Sequence, residues 1–182
     1  AFASNRSGNW DLFRLTLDDG SIEQLTFSRE PELHPAWSPD GSRIAFCKQS
    51  AQSRRWEIMT LDVANPRQGQ QYLAYGLFPQ WNPDPARSKI LFQRARDRDS
   101  ELYSVWTLDY VAGEARNLTE IIAFPDAAAI TPAWSPAGNR VAFAVLPHAP
   151  APGGDPRQGD LWSIRLDGTD RMSLTRGEHL NT

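Results

Sequence analysis

The sequence predicts an all-β chain, built as a β-propeller of four-stranded antiparallel blades. One observation is a repeated segment: Pro-Ala-Trp-Ser-Pro-Asp-Gly-Ser-Arg-Ile-Ala-Phe at 35–46 recurs as Pro-Ala-Trp-Ser-Pro-Ala-Gly-Asn-Arg-Val-Ala-Phe at 132–143, with a shorter relative at 79–92. The other is that two further apolar runs follow each copy in fixed order. Short strands and Gly/Pro turns repeated every ~45 residues are typical of propeller blades.

The first two strands of each unit, a and b, carry the repeated aromatic residues. Strand b contains the runs Ile-Ala-Phe at 44–46, Ile-Leu-Phe at 90–92 and Val-Ala-Phe at 141–143. Aromatic residues at matching places are expected between neighbouring blades, where each buries a large apolar area. We therefore predict equivalent buried positions for one aromatic set in strand a (Trp37, Trp81, Trp134) and another in strand b (Phe2, Phe46, Phe92, Phe143).

The third and fourth strands, c and d, follow from alternation and from a recurring Leu-Thr pair. Strand c alternates behind an acid at 11–15, 57–61, 101–105 and 160–164, which places one face on a core and the other nearer water. Strand d ends in Leu-Thr at 25–26, 118–119 and 174–175, and it is short and polar, as expected of an outer edge. No unit shows the helical period that would indicate a helical repeat.

The repeats divide the chain into one partial and three complete units. Ala1-Phe2 aligns with Ala45-Phe46, so residues 1–30 are predicted to supply strands b, c and d of a partial blade. Residues 31–76 and 77–122 are predicted to form one blade each, and residues 123–182 a blade and the start of the next connection. This gives about 3.75 blades, and because closed propellers typically have about four to eight, we expect a part of a larger ring.

The signatures together carry a family resemblance. Trp-Ser-Pro-Asp-Gly-Ser-Arg-Ile-Ala-Phe, followed by Asp-Leu-Phe or Asp-Leu-Trp and then Leu-Thr, resembles the PD40 (WD40-like) repeat of TolB-like β-propellers over essentially the whole chain. The resemblance implies a non-catalytic scaffold that binds a protein or peptide, and export to a bacterial periplasm. Similar repeats occur in the propellers of prolyl-oligopeptidase-like and tricorn-like peptidases and in oligogalacturonate lyases. The alternatives are therefore the propeller domain of a larger peptidase and a polysaccharide lyase with its site in the channel.

The connections between strands select a candidate binding face. The a-to-b and c-to-d connections are tight turns rich in Asp and Gly, whereas the b-to-c and d-to-a connections vary and must emerge on the opposite face of a meander. Binding residues tend to lie in variable loops on a rigid scaffold. We predict that residues directly preceding strand a ring the channel mouth (His34, Phe78, Thr131) and that b-to-c loop residues form its rim (Arg54, Arg55, Arg96, Arg98, His148).

The arginines of the b-to-c loops allow two interpretations. Each loop contains at least one Arg and is followed by the acid that opens strand c, as in Arg6 with Asp11. An ion pair within the blade that orders the loop is the simpler prediction. Residues 54–55 and 94–98 hold more arginines than one acid can pair, so a local basic patch is the alternative.

Composition and motifs exclude several functions. The net charge of −3 gives no electrostatic footprint for nucleic acid, and no run of ~20 apolar residues predicts membrane insertion. The sequence has no Gly-x-Ser-x-Gly, His-Glu-x-x-His, phosphate loop or paired cysteines. We therefore expect no catalytic residue, metal site or cofactor, and a protein or peptide as partner, with self-association that completes the ring as a second hypothesis.

Overall fold

The computed structural model describes residues 1–97, 100–147 and 159–175. All regular structure in this part of the chain is β, which confirms the predicted fold class. The strands are β1 (Phe2–Ser4), β2 (Asp11–Leu15), β3 (Ile22–Gln24), β4 (Glu32–Trp37), β5 (Arg43–Gln49), β6 (Trp56–Asp62), β7 (Gln71–Tyr75), β8 (Leu77–Trp81), β9 (Lys89–Ala95), β10 (Tyr103–Val111), β11 (Glu114–Ile122), β12 (Ala127–Trp134), β13 (Arg140–Pro147), β14 (Asp160–Arg165) and β15 (Met172–Ser173).

The strands form antiparallel meanders in which neighbours in sequence are neighbours in the sheet. One sheet has three strands, in the order β1-β2-β3. The others have four, in the orders β4-β5-β6-β7, β8-β9-β10-β11 and β12-β13-β14-β15. In such a meander the first and third connections of a sheet lie at one end of its strands and the second lies at the other.

The chain divides into two compact units, Ala1–Trp81 and Asn82–Thr182, each with its own core. In the first unit, fully buried aliphatic residues surround Phe46. In the second, Phe143 of β13 lies in a cluster of buried residues from six strands, β9 to β14. The predicted burial of Phe46, Phe92 and Phe143 is confirmed, whereas Phe2 is only partly buried.

The prediction of three buried tryptophans is wrong: Trp37 is 38% exposed, and Trp81 and Trp134 are only partly buried. Trp37 opposes Ile44 in the ladder as Trp134 opposes Val141, so the two indoles hold equivalent places. Trp134 packs against the core of its unit, but Trp37 is not part of the corresponding cluster. The repeat therefore fixes the position of the ring, and its local neighbours determine how far it is buried.

The prediction of a short outer strand holds for β3 and β15 but is wrong for β11, which has nine residues. The turn between β10 and β11 explains its length. Ala112 and Gly113 both have positive φ, 53° and 83°, as a two-residue hairpin of type I′ requires. Such a turn matches the twist of the strands, so the β10–β11 ladder extends from the turn to Ile122.

The recurring Leu-Thr pair fastens the end of strand d to the start of strand c. The Leu12 N–H donates to Thr26 Oγ1 at 2.9 Å, and the Leu161 N–H donates to Thr175 Oγ1 at 2.9 Å. Thr26 is buried, so its hydroxyl satisfies a backbone donor that water does not reach. The threonines are thus explained by the fold.

The tight turn between β12 and β13 is tied to the equivalent turn before β9. Gly138 has φ 64°, and its N–H donates to the Ser135 carbonyl at 2.8 Å. Asn82, fully buried, donates from Nδ2 to the Gly138 carbonyl at 2.8 Å and accepts the Asp84 N–H on Oδ1 at 2.9 Å. Asn82 replaces the serine of the other repeats. By accepting the Asp84 N–H it also holds its own turn before β9, which lacks the usual glycine.

Candidate functional site

The residue before the proline of each strand a has an unusual backbone conformation. His34, Phe78 and Thr131 have φ of 55°, 56° and 47°, in the left-handed region. Side chains rarely adopt this conformation, and a β-branched residue such as Thr131 does so least readily. The ladder slips between Leu33 and Ala36 and again between Ile130 and Ala133, so a bulge accompanies the turned residue. Strain of this kind, repeated at equivalent positions, is typical of binding sites.

In the first unit two of these left-handed residues form an aromatic pair. The ring centroids of His34 and Phe78 are 4.2 Å apart, with the rings tilted by 49°. His34 is exposed and Phe78 is half-buried. Partial burial lowers the pKa of His34 below its ordinary value, so the imidazole is neutral near pH 7. The surface here is an uncharged aromatic platform with ring nitrogens available for hydrogen bonding.

Side chains of strand b accept the backbone N–H groups of two of the left-handed residues. In the first unit the Phe78 N–H donates to Cys47 Sγ at 3.3 Å, and in the second the Thr131 N–H donates to Gln93 Oε1 at 2.7 Å. Both acceptors are buried. Cys47 and Gln93 each directly follow the repeated phenylalanine of strand b, and sequence reasoning missed their role. The available signal was a polar or sulfur-bearing residue within an otherwise apolar strand.

Cys47 is an acceptor in this arrangement and not a reactive thiol. Burial raises its pKa to about 12, so the sulfur stays protonated near neutral pH and lacks the thiolate that nucleophilic attack and metal binding require. The described residues contain no group of three or more His, Cys, Asp or Glu side chains that could hold a metal ion. They also contain no helix with the length and apolar character of a membrane span.

The predicted ion pairs between loop arginines and strand-c acids are wrong for Arg6, Arg54, Arg55 and Arg96. Asp11 accepts hydrogen bonds from Ser7 Oγ at 3.0 Å, Gln24 Nε2 at 3.0 Å and the Ser28 N–H at 3.1 Å. These neutral donors already satisfy the buried carboxylate. None of the ion pairs found among the described residues involves Arg6, Arg54, Arg55 or Arg96.

The loop arginines instead contact aromatic rings and a carbonyl. Arg55 lies over Tyr75 and Arg94 over Trp106, each with its guanidinium carbon 5.1 Å from the ring centroid. Arg96 donates from Nη1 to the Phe124 carbonyl at 2.8 Å. Arg54 is exposed and has φ 55°. Arg98 and His148, also predicted at this surface, lie outside the described residues.

Comparisons with known proteins agree with this architecture. No protein-family model matches the chain. A curated TolB homolog of Chlorobium luteolum is 43% identical over 60 residues, which are 33% of this chain and 14% of that protein. A solved structure described as TolB from Agrobacterium tumefaciens is 20% identical, with a TM-score of 0.74, over 95% of this chain and 59% of that one.

A peptidase propeller has the same fold. The β-propeller domain of the Trilobed protease from Pyrococcus furiosus is 18% identical, with a TM-score of 0.62, over 92% of this chain and 49% of that one. The chain thus spans less than two thirds of these relatives. The strand order, the repeated signatures and the TolB matches lead to one conclusion: the chain has the β-propeller fold and is similar to TolB proteins.

Proposed function

We propose that the chain is a non-catalytic interaction scaffold that binds a protein or peptide partner on its loop-rich face. The observation that carries this proposal is the left-handed, pre-proline residue repeated at the start of strand a, with the His34–Phe78 pair as its most developed example. The proposal takes the sheets as propeller blades divided as 1–30, 31–76, 77–122 and 123–182.

The aromatic pair has the properties of a peptide-binding anchor. Histidine and phenylalanine rings offer a large contact area and lose little conformational entropy when a ligand binds, because each side chain has only two rotatable bonds. His34 lies at a bulge of β4 and Phe78 lies within β8, so neither ring stands on a long loop and their positions are fixed before the partner arrives. Keeping a residue in a sparsely populated backbone region costs about 1–3 kcal/mol, which the surrounding sheets offset.

The remaining positions of the proposed surface supply polar and charged groups. Thr131 is the exposed equivalent of His34 in the second unit, and its backbone is held by Gln93. Arg54, Arg55 and Arg96 add positive charge in the b-to-c loops. We include Arg98 and His148 in the proposal because they belong to the same class of loop. A partner segment with apolar and acidic side chains would complement this set.

Export to a bacterial periplasm is part of the proposal, and it is supported by the similarity to TolB proteins. The second candidate is the propeller domain of a larger peptidase, which the similarity to the Trilobed protease propeller favours. Labelling the native full-length protein with a fluorophosphonate probe separates the two candidates. A labelled serine would support the peptidase, and the absence of labelling beside a labelled serine hydrolase control would support the scaffold.

Peptide selection tests the binding proposal directly. Peptides are selected from a random phage-displayed library against the 182-residue chain, and their affinities are measured for the wild type and for His34→Ala and Phe78→Ala. We expect each variant to weaken binding by about tenfold or more, as truncation of an anchor residue does. Leu17→Ala is the matched control, because Leu17 is 88% exposed at a tight turn of the same unit.

The control defines the outcome that contradicts the proposal. Binding that is insensitive to both ring truncations but lost in Leu17→Ala would place the peptide at the tight turns. Thermal unfolding of each variant shows whether lost binding reflects a lost fold.

A further inference from the structure

The side chains that accept the left-handed N–H groups follow a rule along the chain. The Phe78 N–H donates to Cys47 of β5, and the Thr131 N–H donates to Gln93 of β9. In each case the acceptor belongs to strand b of the sheet that precedes the donor in sequence. Strand b thus contains one place, here named the acceptor position, whose side chain bonds the next sheet.

For His34 the residue at the acceptor position is Ala3. Ala3 opposes Leu12 in its ladder as Cys47 opposes Ile58 in the following sheet. β1, which carries Ala3, contacts β4, which carries His34. A methyl side chain has no atom that accepts a hydrogen bond. Among the three left-handed residues that begin the described sheets, His34 therefore lacks the side-chain acceptor that the other two have.

The ladder between β4 and β5 does not use the His34 N–H either. The Gln49 N–H donates to the Pro31 carbonyl at 3.0 Å, and antiparallel pairs alternate between hydrogen-bonded and non-hydrogen-bonded ones. Counted from this pair, Glu32 and His34 fall at non-hydrogen-bonded places, where N–H groups point away from β5. The Glu32 N–H donates to the Trp10 carbonyl at 2.8 Å. For the His34 N–H, neither the ladder nor the acceptor position supplies a partner.

We propose that the His34 N–H binds a backbone carbonyl oxygen of the peptide partner, an inference that rests on the function proposed above. A backbone N–H that the fold leaves unbonded is bonded to water or to a ligand. His34 is exposed and Ala3 is only partly buried, so an oxygen atom from outside the fold has access to this place. The uncharged ring pair of His34 and Phe78 favours a neutral acceptor over a carboxylate.

A hydrogen bond at this place would set the register of the peptide on the ring pair. The N–H group and the imidazole belong to the same residue, and the imidazole and Phe78 ring centroids are 4.2 Å apart. A carbonyl bonded to the His34 N–H therefore brings the neighbouring peptide side chain onto the two rings. Main-chain hydrogen bonds of this kind add affinity for any sequence, and the surface beside them selects the side chain.

Hydrogen exchange at single amides, measured by NMR on the free 182-residue chain, tests whether the fold leaves this N–H unbonded. We expect the His34 amide to exchange at least about tenfold faster than the Phe78 and Thr131 amides, each relative to its unfolded-chain rate. Ala3→Gln places at the acceptor position the residue whose Oε1 accepts the Thr131 N–H at 2.7 Å. In this variant the His34 amide should slow to the level of the other two.

The affinity of the same proteins for a selected peptide tests the ligand. We expect Ala3→Gln to weaken binding by about fivefold, the effect of one neutral hydrogen bond, because its side chain occupies the His34 N–H. Ala144→Gln is the matched control. Ala144 holds the acceptor position of β13, opposite Leu161, in the second unit, and this variant should bind as the wild type does.

The outcomes separate this inference from the proposed function. A His34 amide that exchanges as slowly as the Phe78 and Thr131 amides in the free wild type would overturn the inference, without need of a variant or a peptide. Wild-type affinity in Ala3→Gln, or an equal loss in Ala144→Gln, would overturn it as well. The proposed function fails separately, if His34→Ala and Phe78→Ala both bind the peptide as the wild type does.

Discussion

Gly138→Ala is expected to destabilise the second unit far more than the same change at another glycine with positive φ. Gly138 has φ 64°, where an alanine is strained. A Cβ added there would overlap the Asn82 amide, with Asn82 Cγ only 2.8 Å away. Asn82 is fully buried, donates from Nδ2 to the Gly138 carbonyl and accepts the Asp84 N–H of its own turn on Oδ1. The added methyl group therefore strains the backbone and also displaces a buried amide.

The magnitude follows from these two effects. An alanine in the left-handed region costs about 1–2 kcal/mol. Displacing Asn82 leaves a buried amide or carbonyl without its partner, which costs about 1–3 kcal/mol, and residual crowding adds about 1 kcal/mol. The free energy of unfolding should fall by about 3–6 kcal/mol. Gly168→Ala should lose only the backbone contribution of about 1–2 kcal/mol, because the nearest atom to a Cβ at Gly168, φ 80°, is 4.0 Å away.

Urea unfolding at 25 °C, followed by tryptophan fluorescence and circular dichroism, measures both variants. Asn82→Ser supplies a rescue, since serine stands at this place in the other repeats and is too short to meet the new methyl group. In the Asn82→Ser background, Gly138→Ala should cost no more than Gly168→Ala. Equal losses for Gly138→Ala and Gly168→Ala in the wild-type background would refute the packing argument. If Gly138→Ala does not fold, failure of the serine background to restore folding would refute it as well.

Further predictions concern buried groups. Glu32 is fully buried, and its carboxyl group lies 3.3 Å from Lys48 Nζ. Burial raises the pKa of Glu32, so the protonated carboxyl stabilises the fold. This stabilisation is complete below the ordinary glutamate pKa of about 4.3 and is lost as the pH rises through the raised pKa. Glu32→Gln should remove this loss, so an unchanged pH profile of melting temperature would contradict the assignment. Cys47, with its pKa raised to about 12, should resist a disulfide reagent at pH 8 in the native protein and react fully in urea; rapid native labelling would contradict its burial. Phe143→Ala should lower the free energy of unfolding by about 3–5 kcal/mol and Trp37→Ala by less than about 2 kcal/mol, as measured in urea; the reverse order would contradict the burial seen here.

The fold was predictable because each strand signature recurs with its own physical cause. The Gly turns, the alternating strand c and the Leu-Thr end all depend on chemistry that is local to one unit and recurs from unit to unit. Trp37 and β11 were mispredicted for a different reason. The exposure of Trp37 depends on its neighbours in three dimensions, and the length of β11 depends on a two-residue turn at 112–113 that no other unit contains.

The candidate site was predictable in position but not in detail. His34, Phe78 and Thr131 could be selected because each precedes a proline at the start of strand a. Their left-handed conformation and the contact between His34 and Phe78 could not, because proline favours an extended residue before it. The arginine prediction failed because charge pairing was assumed where aromatic rings lay closer. The contact of Arg55 with Tyr75 depends on β7, the strand that carries Tyr75 and pairs with β6.

Hydrogen exchange of the chain bound to a selected peptide tests the central claim most directly. The account predicts that bound peptide slows amide exchange at 33–36 and 77–80, around the left-handed residues His34 and Phe78, and leaves the tight turns at 18–21 and 39–42 unchanged. Protection confined to those tight turns, with no change around His34 and Phe78, would contradict the claim that these two residues form the binding surface.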